Sequence, residues 1–172
     1  MTLKPANYKS RSTKGTSLTG GNGMGYVYAE IELTNEDHVA LHRHGMLAEN
    51  EIKRVTCKAL VDSGAWDLVI SEEVRQRLNL PLIERRVVKM ADESLMELDV
   101  AGPIEVRFEH KKTIVDAAVI MPGTSEVLLG AYPMEGLDVM IDPKGERLLV
   151  NPPWPNNPKA RIRAVKQVSL SI

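Results

Sequence analysis

The sequence predicts an all-β domain, a barrel or sandwich carrying one or two short helices. Three observations lead there. Short apolar-alternating runs recur between Tyr26 and Asn151, turn-forming clusters separate them at close spacing, and only brief stretches follow a helical period. The 172 residues suffice for one domain with a real core, at 43% hydrophobic and 26% charged residues.

The first 23 residues, MTLKPANYKSRSTKGTSLTGGNG, are basic, rich in Ser, Thr and Gly, and nearly devoid of large apolar side chains. They bury too little to offset ordering entropy and read as a disordered or added tail, residues 1–23. Order is expected from residue 24 to 151, beginning at YVYAEIEL, where Val27, Ala29, Ile31 and Leu33 alternate with polar or aromatic neighbours. A polar connection through TNEDHVALHRHGMLAENE reads as a solvated loop, and IKRVTCKALV as a second strand. A short helix follows ALVDSGAWDLVI. Ser71 is its N-cap, Glu72 and Glu73 suit the positive end of its dipole, Val74 and Leu78 share a face, and Pro81 ends it.

Beyond that helix nearly everything reads as strand. ERRVVKM and LMELDV flank the turn ADES; IEVRFEH and TIVDAAVIM flank HKK; DVMID and RLLVN flank PKGE. Between the last two hairpins lie the apolar strand EVLLG and a short helix through AYPMEGL. Residues 152–172 form a Pro-rich extension ending in VSLSI, a candidate edge or dimer-interface strand that must find a partner or invite aggregation.

A formal net charge of −1 and an aromatic content of 4% argue against nucleic acid or an anionic membrane as the main partner. Cys57 is the only cysteine, which excludes an intrachain disulfide and suits a reducing compartment; it reads as a small buried hydrophobe. No apolar run nears the length of a membrane span and no signal peptide opens the chain, so the expectation is a cytoplasmic protein.

The tetrapeptide Asp62-Ser63-Gly64-Ala65 carries the sharpest chemistry. By average residue usage, Asp-[Ser/Thr]-Gly-[Ala/Ser] arises by chance in roughly one chain per hundred of this length. Asp, Ser and Gly are all turn formers, so an ordinary β-turn is the plain reading. The apolar segments ALV and LVI on either side instead hold this turn between buried strands, where a carboxylate is costly unless something satisfies it. Downstream, Val127-Leu128-Leu129-Gly130 is an apolar run ending in glycine.

The order strand, Asp-Ser-Gly-Ala turn, helix, polar-tipped hairpin, apolar-apolar-Gly and short helix resembles the retropepsin-like aspartic proteases, single-lobed relatives of the pepsin fold. The resemblance spans roughly Tyr26 to Asn151, with LVDSGAWDLVISEEVRQRLNL its most specific part. It implies a closed β-barrel and an aspartic endopeptidase that needs no cofactor or metal. Each chain supplies one catalytic carboxylate, Asp62, and a homodimer supplies two. By the same resemblance Ser63 hydrogen-bonds across the dimer axis, Gly64 admits a close backbone approach, and Gly130 marks where the downstream strand passes behind the loop. Ala65 and Trp66 border an extended peptide substrate, and Ala91, Asp92, Glu93 and Ser94 form the tip of a closing flap. Two departures stand out: the flap tip has no glycine, and Trp66 occupies a position usually small or polar. They motivate the alternative of a catalytically inactive dimer that binds a peptide or partner on the same fold. His38, His42 and His44 suggest a metal-binding barrel instead, but Cys or carboxylate partners at structural-zinc spacing are missing.

Overall fold

The computed structural model describes residues 25–153. The expected tail over residues 1–23 lies outside the described residues, as does the expected C-terminal extension from residue 154 onward.

The chain opens with β1 (Tyr28–Asn35), whose inward residues Ala29, Ile31 and Leu33 are buried as their alternation requires. Asn35 then caps α1 (Glu36–Arg43) by accepting the His38 N–H at 3.1 Å. This helix replaces the expected solvated loop. No apolar residue of α1 is buried, so it leaves no hydrophobic stripe to read. Its start and stop are set by the cap, by Glu36 and Asp37 in the first turn, and by His42 and Arg43 in the last.

β2 (Arg54–Val61) pairs antiparallel with β1 and leads into the Asp62 turn, then β3 (Leu68–Ile70) and α2 (Glu72–Leu78). Ser71 Oγ accepts the Val74 N–H at 3.2 Å as the expected N-cap, and Val74 and Leu78 are buried. The hairpin of β4 (Leu82–Lys89) and β5 (Leu95–Ala101) follows, then the hairpin of β6 (Ile104–Phe108) and β7 (Lys111–Val115). The expected long strand TIVDAAVIM breaks after β7, and β8 (Ala118–Ile120) runs separately, parallel to β3. At this corner the chain crosses Gly102 so closely that a Cβ there would sit 3.0 Å from Ala117 Cα. β9 (Val127–Leu129), α3 (Ala131–Leu137) and the hairpin of β10 (Val139–Asp142) with β11 (Arg147–Val150) complete the fold.

Nine strands form one sheet in the order β4-β5-β8-β3-β9-β2-β1-β6-β7, and β10 and β11 form a second. The architecture is therefore mostly β with short helices, but no sheet closes into a barrel among the described residues, which corrects the expected closed barrel. Closure requires the two outermost strands to pair. Here the outermost strands stay apart: β4 contributes residues 86–89 to the lining of a cleft, and β7 packs against α3.

One large core, including the fully buried Ile31, Leu33, Leu68, Ile70, Leu78, Ile104, Leu129 and Leu137, holds the sheet to α2 and α3. Burial of each such side chain is worth about 1.5–3 kcal/mol. A smaller cluster of Val69, Leu98 and Val119, with Val88, Met121 and Leu128 packed against it, lies by the β4–β5 hairpin. Among the described residues no helix is long and apolar enough to cross a membrane.

Candidate active site

The site begins where the sheet splits. Strands β2 and β3 are consecutive, yet β9 lies between them: Leu129 pairs with Val61 in parallel and with Leu68 in antiparallel fashion. The connecting residues 62–67 must therefore arch over the end of β9. Asp62 opens this arch, and its N–H donates to the Leu129 carbonyl at 3.1 Å.

Asp62 is half-buried and shapes its own turn: Gly64 N–H donates to Oδ1 at 2.9 Å, and Ala65 N–H to the Asp62 carbonyl at 3.2 Å. The β-turn reading holds and the flanking strands are buried, but the carboxylate itself is only half-buried and serves as the turn's acceptor. Among the described residues Asp62 makes no ion pair. The Ser63 hydroxyl is exposed and makes no hydrogen bond among them.

The far side of the arch rests on the start of α3. Ala131 N–H donates to the Ala65 carbonyl at 2.8 Å and Tyr132 N–H to the Trp66 carbonyl at 3.0 Å. Gly130 makes this approach possible: a Cβ there would lie 2.7 Å from the Trp66 carbonyl carbon and oxygen, and closer still to the Asp67 oxygen. The Trp66 ring stacks on Tyr132 with centroids 5.9 Å apart and planes 24° from parallel, while Trp66 remains 60% exposed.

An open cleft of about 760 Å³ lies over the arch. Asp62, Gly64, Ala65, Trp66 and Asp67 line one side; Val69, Val119, Met121 and Leu128 form an apolar floor; and the run from Arg86 to Ala91 forms the facing wall. Along this wall Arg86, Val88 and Met90 are half-buried while Val87, Lys89 and Ala91 are exposed, and Val88 packs against the floor cluster of Val69 and Val119. Of the expected site residues, Asp62, Gly64, Ala65, Trp66 and Ala91 meet here. Gly130 sits behind the arch, and Asp92, Glu93 and Ser94 are exposed at the hairpin tip, outside the cleft lining.

Arg86, Tyr132 and the floor residues Val69, Val119 and Met121 were not singled out by the sequence. The sequence pattern placed Arg86 and the floor residues on strands and Tyr132 on a short helix, but not which of them turn to the cleft. Arg86 reaches across it, 3.6 Å from Asp67 on the arch, and also binds Glu84 at 2.8 Å.

The hairpin tip is braced without glycine. Met90 N–H donates to the Ser94 carbonyl at 2.8 Å and Glu93 N–H to the Met90 carbonyl at 2.9 Å, a three-residue loop whose last position must be left-handed. Glu93 adopts that conformation, with φ 68°. Asp92 Oδ1 accepts the Ser94 hydroxyl at 2.6 Å and the Ser94 N–H at 3.0 Å, and these bonds hold its carboxyl below the ordinary value.

Away from the cleft, Cys57 is half-buried and burial pushes its thiol up, away from the reactive thiolate. His42 is engaged by the Leu47 carbonyl at 2.9 Å and by Glu49 at 3.0 Å, and His38 Nδ1 accepts the Lys53 N–H at 3.3 Å. Among the described residues no three His, Cys, Asp or Glu side chains converge as a metal site.

The family model described as gag-polyprotein putative aspartyl protease matches residues 48–135, which include the arch, the hairpin and the first turn of α3. The structure is similar to the crystal structure of a retropepsin-like aspartic protease from Rickettsia conorii at 19% identity and a TM-score of 0.47, covering 73% of this chain and 80% of that one. No curated protein matches.

Proposed function

This chain belongs to the gag-polyprotein aspartyl protease family, and from that premise we propose that it is an aspartic endopeptidase assembled as a homodimer around two Asp62 carboxylates. One observation carries the reading: Asp62 lines the same cleft as the run from Arg86 to Ala91, with Oδ1 bonded within its own turn and no cation paired with it among the described residues. The other arch carboxylate lining the cleft, Asp67, already faces the Arg86 guanidinium. A second uncommitted carboxylate must therefore come from another chain, and a two-fold axis beside Asp62 supplies its twin.

Two carboxylates about 3 Å apart cannot both ionise and share one proton, as in aspartic-protease dyads generally. The ionised Asp62 takes a proton from a water held between the pair, which attacks the substrate carbonyl. The protonated Asp62 donates to that carbonyl's oxygen, giving a tetrahedral intermediate that collapses as the amine leaves with a proton. Ser63 braces the two loops across the axis, Gly64 keeps its N–H on the carboxylate, and Ala65 borders the peptide. The tip, Ala91 to Ser94, closes over the substrate and excludes water. An extended peptide along the β4 edge gains backbone hydrogen bonds there and rests side chains on the apolar floor.

The test pairs the full chain with Asp62→Asn in a peptide-library digest between pH 4 and 7, beside light scattering. Cleavage by the parent, a loss of at least 1,000-fold in the variant, and twice the chain mass are expected. Equal cleavage by both proteins sinks the mechanism. Peptide binding without turnover, unaltered by the substitution, identifies a non-catalytic binding module instead.

A further inference from the structure

We propose that the Trp66–Tyr132 stack is a specificity-determining shelf that receives a flat aromatic side chain of the bound peptide, close to the scissile bond; the proposal rests on reading the cleft as a peptide site. The geometry argues it in three steps. Trp66 lines the same cleft as Asp62, four residues further along one arch, so whatever spans the carboxylate also passes the indole.

The indole is held in place before any ligand arrives. The Trp66 main-chain carbonyl accepts the Tyr132 N–H at 3.0 Å and lies where a Gly130 Cβ would be 2.7 Å away, which fixes the backbone, and the ring itself stacks on Tyr132. An exposed tryptophan ordinarily gives up side-chain freedom when a ligand lands on it; here that freedom is already restricted, which leaves more of the contact energy for binding.

The stack also leaves surface over. Trp66 is 60% exposed and Tyr132 40% exposed, and Trp66 is the member of the pair that lines the cleft. A ring docking on such a platform gains stacking beyond its burial, which an aliphatic side chain of the same size does not. Asp67 beside the shelf is occupied by Arg86 across the cleft, so the neighbouring charges do not compete for the ring's place.

The experiment uses the full chain carrying Asp62→Asn, so that binding is read without cleavage, and fluorescein-labelled octapeptides in which Phe or Ala is placed at each position in turn. Anisotropy should give, at one or two adjacent positions, about tenfold tighter binding for Phe than for Ala, the upper end of what one aromatic contact supplies. Adding Trp66→Ala should reduce that ratio to about twofold or less, whereas Trp66→Phe should retain most of it. Tyr132→Ala, which unseats the indole, serves as the second variant should Trp66→Ala fail to fold, and should lower the ratio in the same direction. An undiminished ratio in both alanine variants overturns the shelf, as does equal weakening of Phe and Ala peptides. So does the absence of binding by any peptide, or a dimer that dissociates when Trp66 is removed, which would make the stack an assembly contact. Phe-selective binding with no cleavage by the Asp62 parent would keep the shelf and sink the peptidase reading; cleavage blind to aromatic residues would do the reverse.

Discussion

Replacing Gly130 by alanine should destabilise the fold by about 2–6 kcal/mol and abolish any activity of the arch. The added methyl would lie 2.7 Å from two Trp66 backbone atoms and nearer still to the Asp67 oxygen, where ordinary contact begins at 3.4 Å. All three obstacles are backbone, so relief requires displacing the arch by roughly 0.7 Å or more, an overpacking cost of about 1–3 kcal/mol. That displacement stretches the Ala131–Ala65 and Tyr132–Trp66 hydrogen bonds, now 2.8 and 3.0 Å. Each contributes about 0.5–1.5 kcal/mol. Backbone conformation adds nothing, since φ −80° is open to alanine. The poorer N-cap and the stiffer unfolded chain oppose each other at about half a kcal/mol apiece.

Urea unfolding at one fixed protein concentration, needed because association adds to stability, should show the midpoint falling by about 1–3 M with an unchanged slope. Gly45→Ala is the matched control: φ is +71° with nothing within 4 Å of the new methyl, so its cost is confined to the left-handed backbone, about 1 kcal/mol. A Gly130→Ala loss no larger than the Gly45→Ala loss would refute the argument that the arch is wedged against α3.

Three further outcomes follow from other contacts. Glu93→Gly removes left-handed strain at φ 68° but adds unfolded-state entropy, so a net gain of about 0.5 kcal/mol is expected in the same melt, and a loss would contradict it. Asn35 is 1% exposed, and its amide donates to the Leu78 and Asn79 carbonyls at 3.0 and 3.1 Å. Asn35→Asp keeps the helix cap but sets a carboxylate against two carbonyls, so it should cost as much as Asn35→Ala or more, about 2–4 kcal/mol; a mild Asp variant would show that capping alone mattered. The Glu72 carboxyl is lowered to about 2 by its bonds to Arg75 and then Gln76, from 4.5 when free. Its contribution is therefore complete above about pH 4.5 and lost as pH falls toward 2. With both partners partly in solvent it amounts to under about 1 kcal/mol. Thermal melts should show Glu72→Gln less stable than the parent at pH 7 and level with it near pH 2; a constant offset would refute the pairing.

Local chemistry was legible wherever one segment contained its own explanation. The alternation of Ala29, Ile31 and Leu33 marked β1, Ser71 and its acidic followers marked α2, and ADES marked the hairpin tip, because each pattern acts over a few residues. The Asp-Ser-Gly-Ala turn was legible for the same reason: Asp62 accepts from Gly64 two residues on. Helix α1 was not, since it buries no apolar side chain and so lacks the stripe by which helices are read.

What the sequence determined by itself, then, was a β-rich chain, its three hairpin turns, two of its helices and the Asp-Ser-Gly-Ala turn that meets the cleft. Tertiary structure decided that β9 enters between β2 and β3, that the sheet stays open among the described residues, and that β4 lines the same cleft as Asp62. It also seated Trp66 on Tyr132, 66 positions away in the chain. Strand order depends on which backbone hydrogen bonds and apolar faces find one another across long separations. An apolar triplet such as Val127–Leu129 satisfies any of several neighbours equally until the whole core selects one.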